Sequence, residues 1–147
     1  MEIAILGLGC FWGPEIKFSK LNGIIKTEVG YCGGHNAKTN YKEVCTGTTN
    51  HAEVVKLDFD PKIISYEEIL KYFFKIHDPT TLNSQGPDFG TQYRSEIFYL
   101  NEEQKNIAQK VIDEENLKLS GKVVTKLSEL KNYCTAEEYH QKYLEKR

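Results

Sequence analysis

Long apolar runs are missing from this 147-residue sequence, and so are the patterns that would give cysteine a structural job. No stretch approaches the roughly 20 apolar residues of a membrane-spanning helix. The start, Met1-Glu2-Ile3, carries neither a basic leader nor a small-residue cleavage site, so a cytoplasmic protein is expected. Charge of one sign is scarce too. Nineteen basic residues are interspersed with 21 acidic ones, for a formal net charge of −2. That balance argues against a nucleic-acid-binding surface and against an anionic-membrane partner. The cysteines, at 10, 32, 45 and 134, form no C-x-x-C pair and no Cys/His cluster at zinc spacing. No metal is therefore expected. Separated thiols in a reducing compartment rarely form standing disulfides, which leaves at least one free, reactive cysteine. With no internal repeat, linker or low-complexity segment, residues 1–147 read as a single domain.

What is present begins with Gly9-Cys10-Phe11-Trp12-Gly13. It follows a strand pattern over Glu2–Leu8 and precedes a helix with Pro14 in its first turn, which ends at Asn22-Gly23. A thiol at such a helix start faces unpaired backbone N–H groups, and its pKa is expected to fall. The flanking glycines, Gly9 among them, permit a tight turn and close approach of a substrate. A second strand runs over Ile24–Tyr31, and His35–Thr49 reads as loop. Ala52–Phe59 alternates as a half-buried strand. Ser65 with Glu68 is a capping box for a helix ending near Pro79, and the stretch from there to Gln92 shows no periodicity. Then come a strand at Ser95–Leu100, a helix from Asn101 to Ser120-Gly121, a late strand at Val123–Leu127 and a terminal helix over Ala136–Glu145. The order predicts an α+β, ferredoxin-like split βαβ two-layer sandwich with a mixed sheet and extra C-terminal elements.

Three further places hold polar groups that packing alone does not demand. Glu53 shares the face of Val55, Leu57 and Phe59, where a carboxyl has a raised pKa and donates a proton near neutrality. His51 lies two residues before it on the same face. Tyr41 opens Tyr41-Lys42-Glu43-Val44-Cys45. The loop Gly86–Ser95 gathers Asp88, Tyr93 and Arg94. Plainer readings stand beside each: a strand-end acid reaching solvent, a loop-anchoring tyrosine, an arginine paired with a surface acid, a buried structural cysteine. A cysteine hydrolase using Cys10, His51 and Glu53, a thiol peroxidase, and a ferredoxin-like binding module are the rival functions.

Five segments occur in order: GCFWG; GY-x-GG; Y-x-EVC-x-G followed by HAEVV; GTQYRS; and AEEYHQ-x-YL. Together, from about Gly7 to Leu144, they resemble the A-type peptide methionine sulfoxide reductases. The resemblance implies reduction of the S epimer of methionine sulfoxide, free or in proteins, and a role in protein repair. It implies a nucleophile at Cys10, an acid at Glu53, hydrogen-bonding tyrosines at Tyr41 and Tyr93, and a loop acid at Asp88. Phe11 and Trp12 match the aromatics that hold the substrate methyl group, and Tyr31, His51 and Gly9 complete the residues expected to meet substrate.

No bound cofactor is implied, and the product on Cys10 is a sulfenic acid. Many members of that family place resolving cysteines in a glycine-rich tail beyond the last motif, whereas this sequence ends at Arg147. Regeneration is therefore expected from an external thiol (thioredoxin, glutaredoxin with glutathione, or dithiothreitol) or from a second protomer of a transient homodimer. Cys32 and Cys134 remain open as internal resolving thiols, and Cys45 is read as structural. Some members carry selenocysteine where Cys10 stands.

Overall fold

A computed structural model describes residues 2–34, 39–46 and 49–143. Strand β1 (Glu2–Leu8) leads through the cysteine turn into α1 (Trp12–Ser19), then β2 (Ile24–Cys32). A short helix α2 (Tyr41–Cys45) precedes β3 (Ala52–Phe59) and α3 (Tyr66–Lys75). A two-residue hairpin, β4 (Ser84–Gln85) with β5 (Asp88–Phe89), is followed by a 3-10 turn at Thr91–Tyr93 and β6 (Ser95–Tyr99). Helix α4 (Glu102–Lys118), β7 (Lys126–Glu129), β8 (Cys134–Thr135) and a 3-10 turn at Glu138–His140 complete the chain.

The sheet order is β7-β6-β1-β3-β2-β8. Its four central strands form the split βαβ sandwich, with all their pairings antiparallel. The α4 crossover adds β7 parallel to β6, as a helical return permits. Alternation divides the sheet into two faces. Leu6, Val29, Tyr31, Val55, Leu57 and Ile97 lie with Phe18, Phe73 and Val111 of the helices in the main core. On the other face Ile5, Cys32, Ala52, Val54 and Phe98 make a smaller cluster, packed against Leu130 and Tyr133.

Local chemistry explains most boundaries. Ser65 and Glu68 form the expected reciprocal cap on α3, and the Asn101 side chain accepts from Gln104 N to start α4. Four expectations need correcting. Part of the stretch read as loop is α2, started by Asn40 accepting from Glu43 N; residues 35–38 and 47–48 of that stretch lie outside the described residues. The unpatterned segment contains the β4–β5 hairpin, whose strands are too short to show a period. The late strand sits at Lys126–Glu129, because pairing with Glu96–Tyr99, not hydrophobicity, selects its register. Over residues 136–142 the expected helix gives way to a 3-10 turn and a clamp on β2: Ala136 N bonds Val29 O, and Gln141 holds both Val29 N and Val29 O. The tail exchanges helical hydrogen bonds for contacts to β2; residues 144–147 lie outside the description.

Candidate active site

Cys10 sits half-buried in the turn between β1 and α1. Gly9 enters that turn at φ +101°, and a Cβ there would lie 2.8 Å from Gln85 Cγ. The hairpin makes a close approach that requires glycine at this point. Phe11 N–H, next along the chain, donates to Glu53 Oε1 at 3.2 Å. So the carboxyl on β3 is tied directly to the nucleophile's turn. Glu53 is 1% exposed, and burial, reinforced by the Asp88 charge, pushes its pKa up to about 8 despite that hydrogen bond. It therefore holds a proton at neutral pH, and its Oε2 has no hydrogen-bond partner among the described residues.

The thiol departs from expectation. Burial pushes Cys10 up to about 11, with the charges of Glu53 and Asp88 adding to it, while the Trp12 backbone N–H pulls the other way. The helix start thus acts in the anticipated direction but loses to desolvation. A protonated Glu53 carries no charge, which relieves one of the opposing causes.

Tyr41 and Tyr93 converge on the same carboxyl. Their hydroxyls interact with each other, and burial together with the Glu53 charge raises both phenols, so both remain neutral donors. Asp88, from β5, acts on Cys10, Glu53 and Tyr93 alike. Cys10, Glu53, Tyr41, Tyr93 and Asp88 are therefore brought together from five separate segments. Tyr31 faces Glu53 directly across β2 and β3, but its hydroxyl donates to Glu137 Oε1 at 2.8 Å. What it offers is its ring, 5.7 Å from Phe11.

Phe11 is fully buried and backs the site, while Trp12 is half-buried. The Trp12 indole N–H donates to His140 Nδ1 at 3.0 Å, and Tyr143 stacks on the ring at 3.9 Å and 17°. His140 also packs on Phe11 and on Tyr41, at 5.3 and 4.6 Å between centroids. Glu137 grips Tyr41 through its backbone N–H at 3.0 Å. The sequence assigns no role to His140, Tyr143 and Glu137, although all three lie in the AEEYHQ-x-YL motif. Arg94, for which pairing with a surface acid is the plainer reading, is buried instead. It pairs with Glu96 at 2.6 Å and donates to the carbonyls of Thr91 and Asn50, joining the 3-10 turn that carries Tyr93 to the residues just before β3, the strand of Glu53.

His51 packs on Gly34 at the start of β3; a Cβ at Gly34 would come within 2.0 Å of its Nδ1. The groups acting on the Cys10 thiol are the Trp12 N–H, Glu53 and Asp88, with no histidine among them. Cys32 belongs to the opposite face of the sheet, with Sγ on Lys131 O at 3.3 Å. Cys134 pairs with Tyr31 across β2 and β8, its thiol directed at Thr39 O, 3.6 Å away. Cys45 is exposed at the end of α2 and interacts with the Tyr41 hydroxyl.

The chain is similar to known proteins along its whole length. Residues 2–147 match the family model described as peptide methionine sulfoxide reductase. The peptide methionine sulfoxide reductase MsrA of Pelagibacter ubique is 80% identical over the full length of both chains. Reduced Mxr1 from Saccharomyces cerevisiae superposes with a TM-score of 0.95 at 42% identity, covering 99% of this chain and 85% of that one. Mxr1 in complex with Trx2 gives 0.69 at 28% identity, covering 97% and 84%. A cysteine at a helix start, a proton-bearing glutamate beside it and this likeness along the whole chain lead to one assignment: the chain belongs to the A-type peptide methionine sulfoxide reductase family.

Proposed function

We propose that this protein reduces the S epimer of methionine sulfoxide, free or within proteins, to methionine, with Cys10 as nucleophile and Glu53 as acid. The observation that carries the reading is the buried, protonated Glu53 tied to the Cys10 turn. A sulfoxide oxygen is a strong acceptor and must gain a proton before it leaves sulfur. Glu53 Oε2 supplies that proton, while the Tyr41 and Tyr93 hydroxyls hold the oxygen. The Cys10 thiolate attacks sulfur and forms an S–S bond as the protonated S–O bond breaks; the oxygen, released as water, adds to Cys10 Sγ while the S–S bond breaks, so that methionine leaves and Cys10 is left as a sulfenic acid. Overall, one sulfoxide and one thiol become one thioether and one sulfenic acid. Acid assistance of this kind is worth roughly 10²–10⁴-fold. Trp12, framed by His140 and Tyr143, takes the methyl group and so fixes which lone pair and oxygen face the acid.

An external thiol then attacks the sulfenic sulfur, expels water, and a second thiol resolves the mixed disulfide. The yeast Mxr1–Trx2 complex supports a thioredoxin-type reductant for this step. Such recycling needs a reducing compartment, consistent with a cytoplasmic location. The hydrolase reading lacks support, since it requires a histidine at the thiol.

Turnover of the two separated epimers with dithiothreitol tests the proposal. Only the S epimer is expected to react, and equal rates for both would overturn it. In single turnover Glu53→Gln should bind substrate but lose on the order of 10²-fold or more in sulfoxide reduction; an unchanged rate would remove Glu53 from the mechanism.

A further inference from the structure

Glu15 is a buried carboxylate for which the reaction has no use. It lies in the first turn of α1, the helix that begins just after Cys10, and is 2% exposed. Both of its oxygens are engaged by donors from distant parts of the chain. Thr27 Oγ1 on β2 donates to Oε2 at 2.9 Å, and the Lys142 backbone N–H donates to Oε1 at 2.6 Å. Burying a carboxylate is costly, and apolar packing between α1 and β2 would stabilise the fold as well or better. What a carboxylate offers here is two acceptors at one point, matched to two donors.

The donor in the tail is unusual. Lys142 has φ +51°, in the left-handed region that non-glycine residues rarely adopt. Its turn is held from one side by Gln141, whose side chain bonds Val29 N, Val29 O and Ala136 O. Glu15 holds it from the other. The residue that follows is Tyr143, which stacks on Trp12, and the residue two before is His140, which accepts from the Trp12 indole. Both contacts that orient the indole thus hang from the turn Glu15 secures.

We propose that Glu15 is a positioning residue for the Trp12 indole, acting through the Lys142 turn to set the wall that receives the substrate methyl group. This rests on the methyl-pocket reading of Trp12 given above. Its effect belongs to binding: loss of Glu15 frees the tail turn, the indole loses its fixed frame, and substrate is held less well while Cys10 and Glu53 stay in place.

The chain has one tryptophan, so its fluorescence reports this site alone. Glu15→Ala is expected to raise acrylamide quenching of Trp12. It should also raise KM for methionine sulfoxide roughly tenfold, with kcat within about twofold, the pattern of lost uniform binding. Glu15→Gln, which keeps an acceptor for Lys142 N–H and can still bond Thr27, should restore both readouts toward wild type. If Glu15→Ala does not fold, Thr27→Val carries the test with the same readouts at smaller amplitude. Wild-type quenching and KM in a folded Glu15→Ala or, failing that, in Thr27→Val overturn the proposal. Trp12→Ala separates the two readings: an unchanged KM there removes the methyl pocket, whereas the quenching result still decides whether Glu15 positions the indole.

Discussion

Glu53 and Cys10 titrate against each other, and the order of their pKa values sets the pH dependence. Glu53 loses its proton near pH 8 and Cys10 only near 11. The reactive pair, thiolate with protonated glutamic acid, is therefore always a minor species. As pH rises its population grows with the thiolate until about 8. Beyond that, each thiolate gained is matched by a Glu53 proton lost. Single-turnover rates measured between about pH 6 and 10 are expected to climb and then level near 8, whereas Glu53→Gln, slower throughout, keeps climbing. A wild-type profile that rises without a break would show that the Glu53 proton is not used. None of this was legible at Cys10 itself. The helix start is visible in sequence, but the desolvation that outweighs it comes from chain segments folded over the turn.

Among the elements, the two short connections leading into β3 and β6 matter most, because they present Glu53 and Tyr93. Their staple is Arg94, 6% exposed, held to Glu96 and to the Thr91 and Asn50 carbonyls. Ser128 Oγ on β7 donates to the other Glu96 oxygen at 2.5 Å. Arg94→Met leaves the buried Glu96 without its cationic partner, which costs about 3–5 kcal/mol. A urea titration should show that loss, and Arg94→Met/Glu96→Leu should recover part of it; equal stability of wild type and Arg94→Met would mean the pair carries no weight. The capping box at Ser65 and the helix start at Asn101 were readable because their hydrogen bonds span three residues, and the strand alternation because side chains on a strand repeat with a period of two. The β4–β5 hairpin was not, since its two-residue strands are too short to show a period, and the true position of β7 was not, since its register is set by pairing with Glu96–Tyr99, about thirty residues earlier.

For the molecule as a whole, the sheet decides which thiols can meet. Cys32 follows Tyr31 on β2, so it points to the face opposite Glu53. Cys134 shares the Tyr31 side but lies one strand further out, toward Thr39. Cys32→Ser and Cys134→Ser are each expected to leave dithiothreitol-supported turnover unchanged. Mass spectrometry after one turnover should find no Cys10–Cys32 or Cys10–Cys134 disulfide; a stoichiometric bridge of either kind would establish an internal resolving step and displace the external thiol from that role.

From the sequence alone came the order of the main elements from β1 to α4, without α2 and the β4–β5 hairpin, the face that buries Glu53, and the five motifs that mark the family, because each rests on local periodicity, on caps a few residues wide, or on residue identity. Only the tertiary structure decided that Cys10 is desolvated beyond the pull of its helix, that residues 136–142 form a turn clamped to β2 beside Trp12, and that Cys32 lies behind the sheet. Those outcomes are set by burial and by hydrogen bonds between residues about a hundred positions apart, such as Trp12 to His140 and Glu15 to Lys142, and such contacts leave no periodic trace in the order of amino acids.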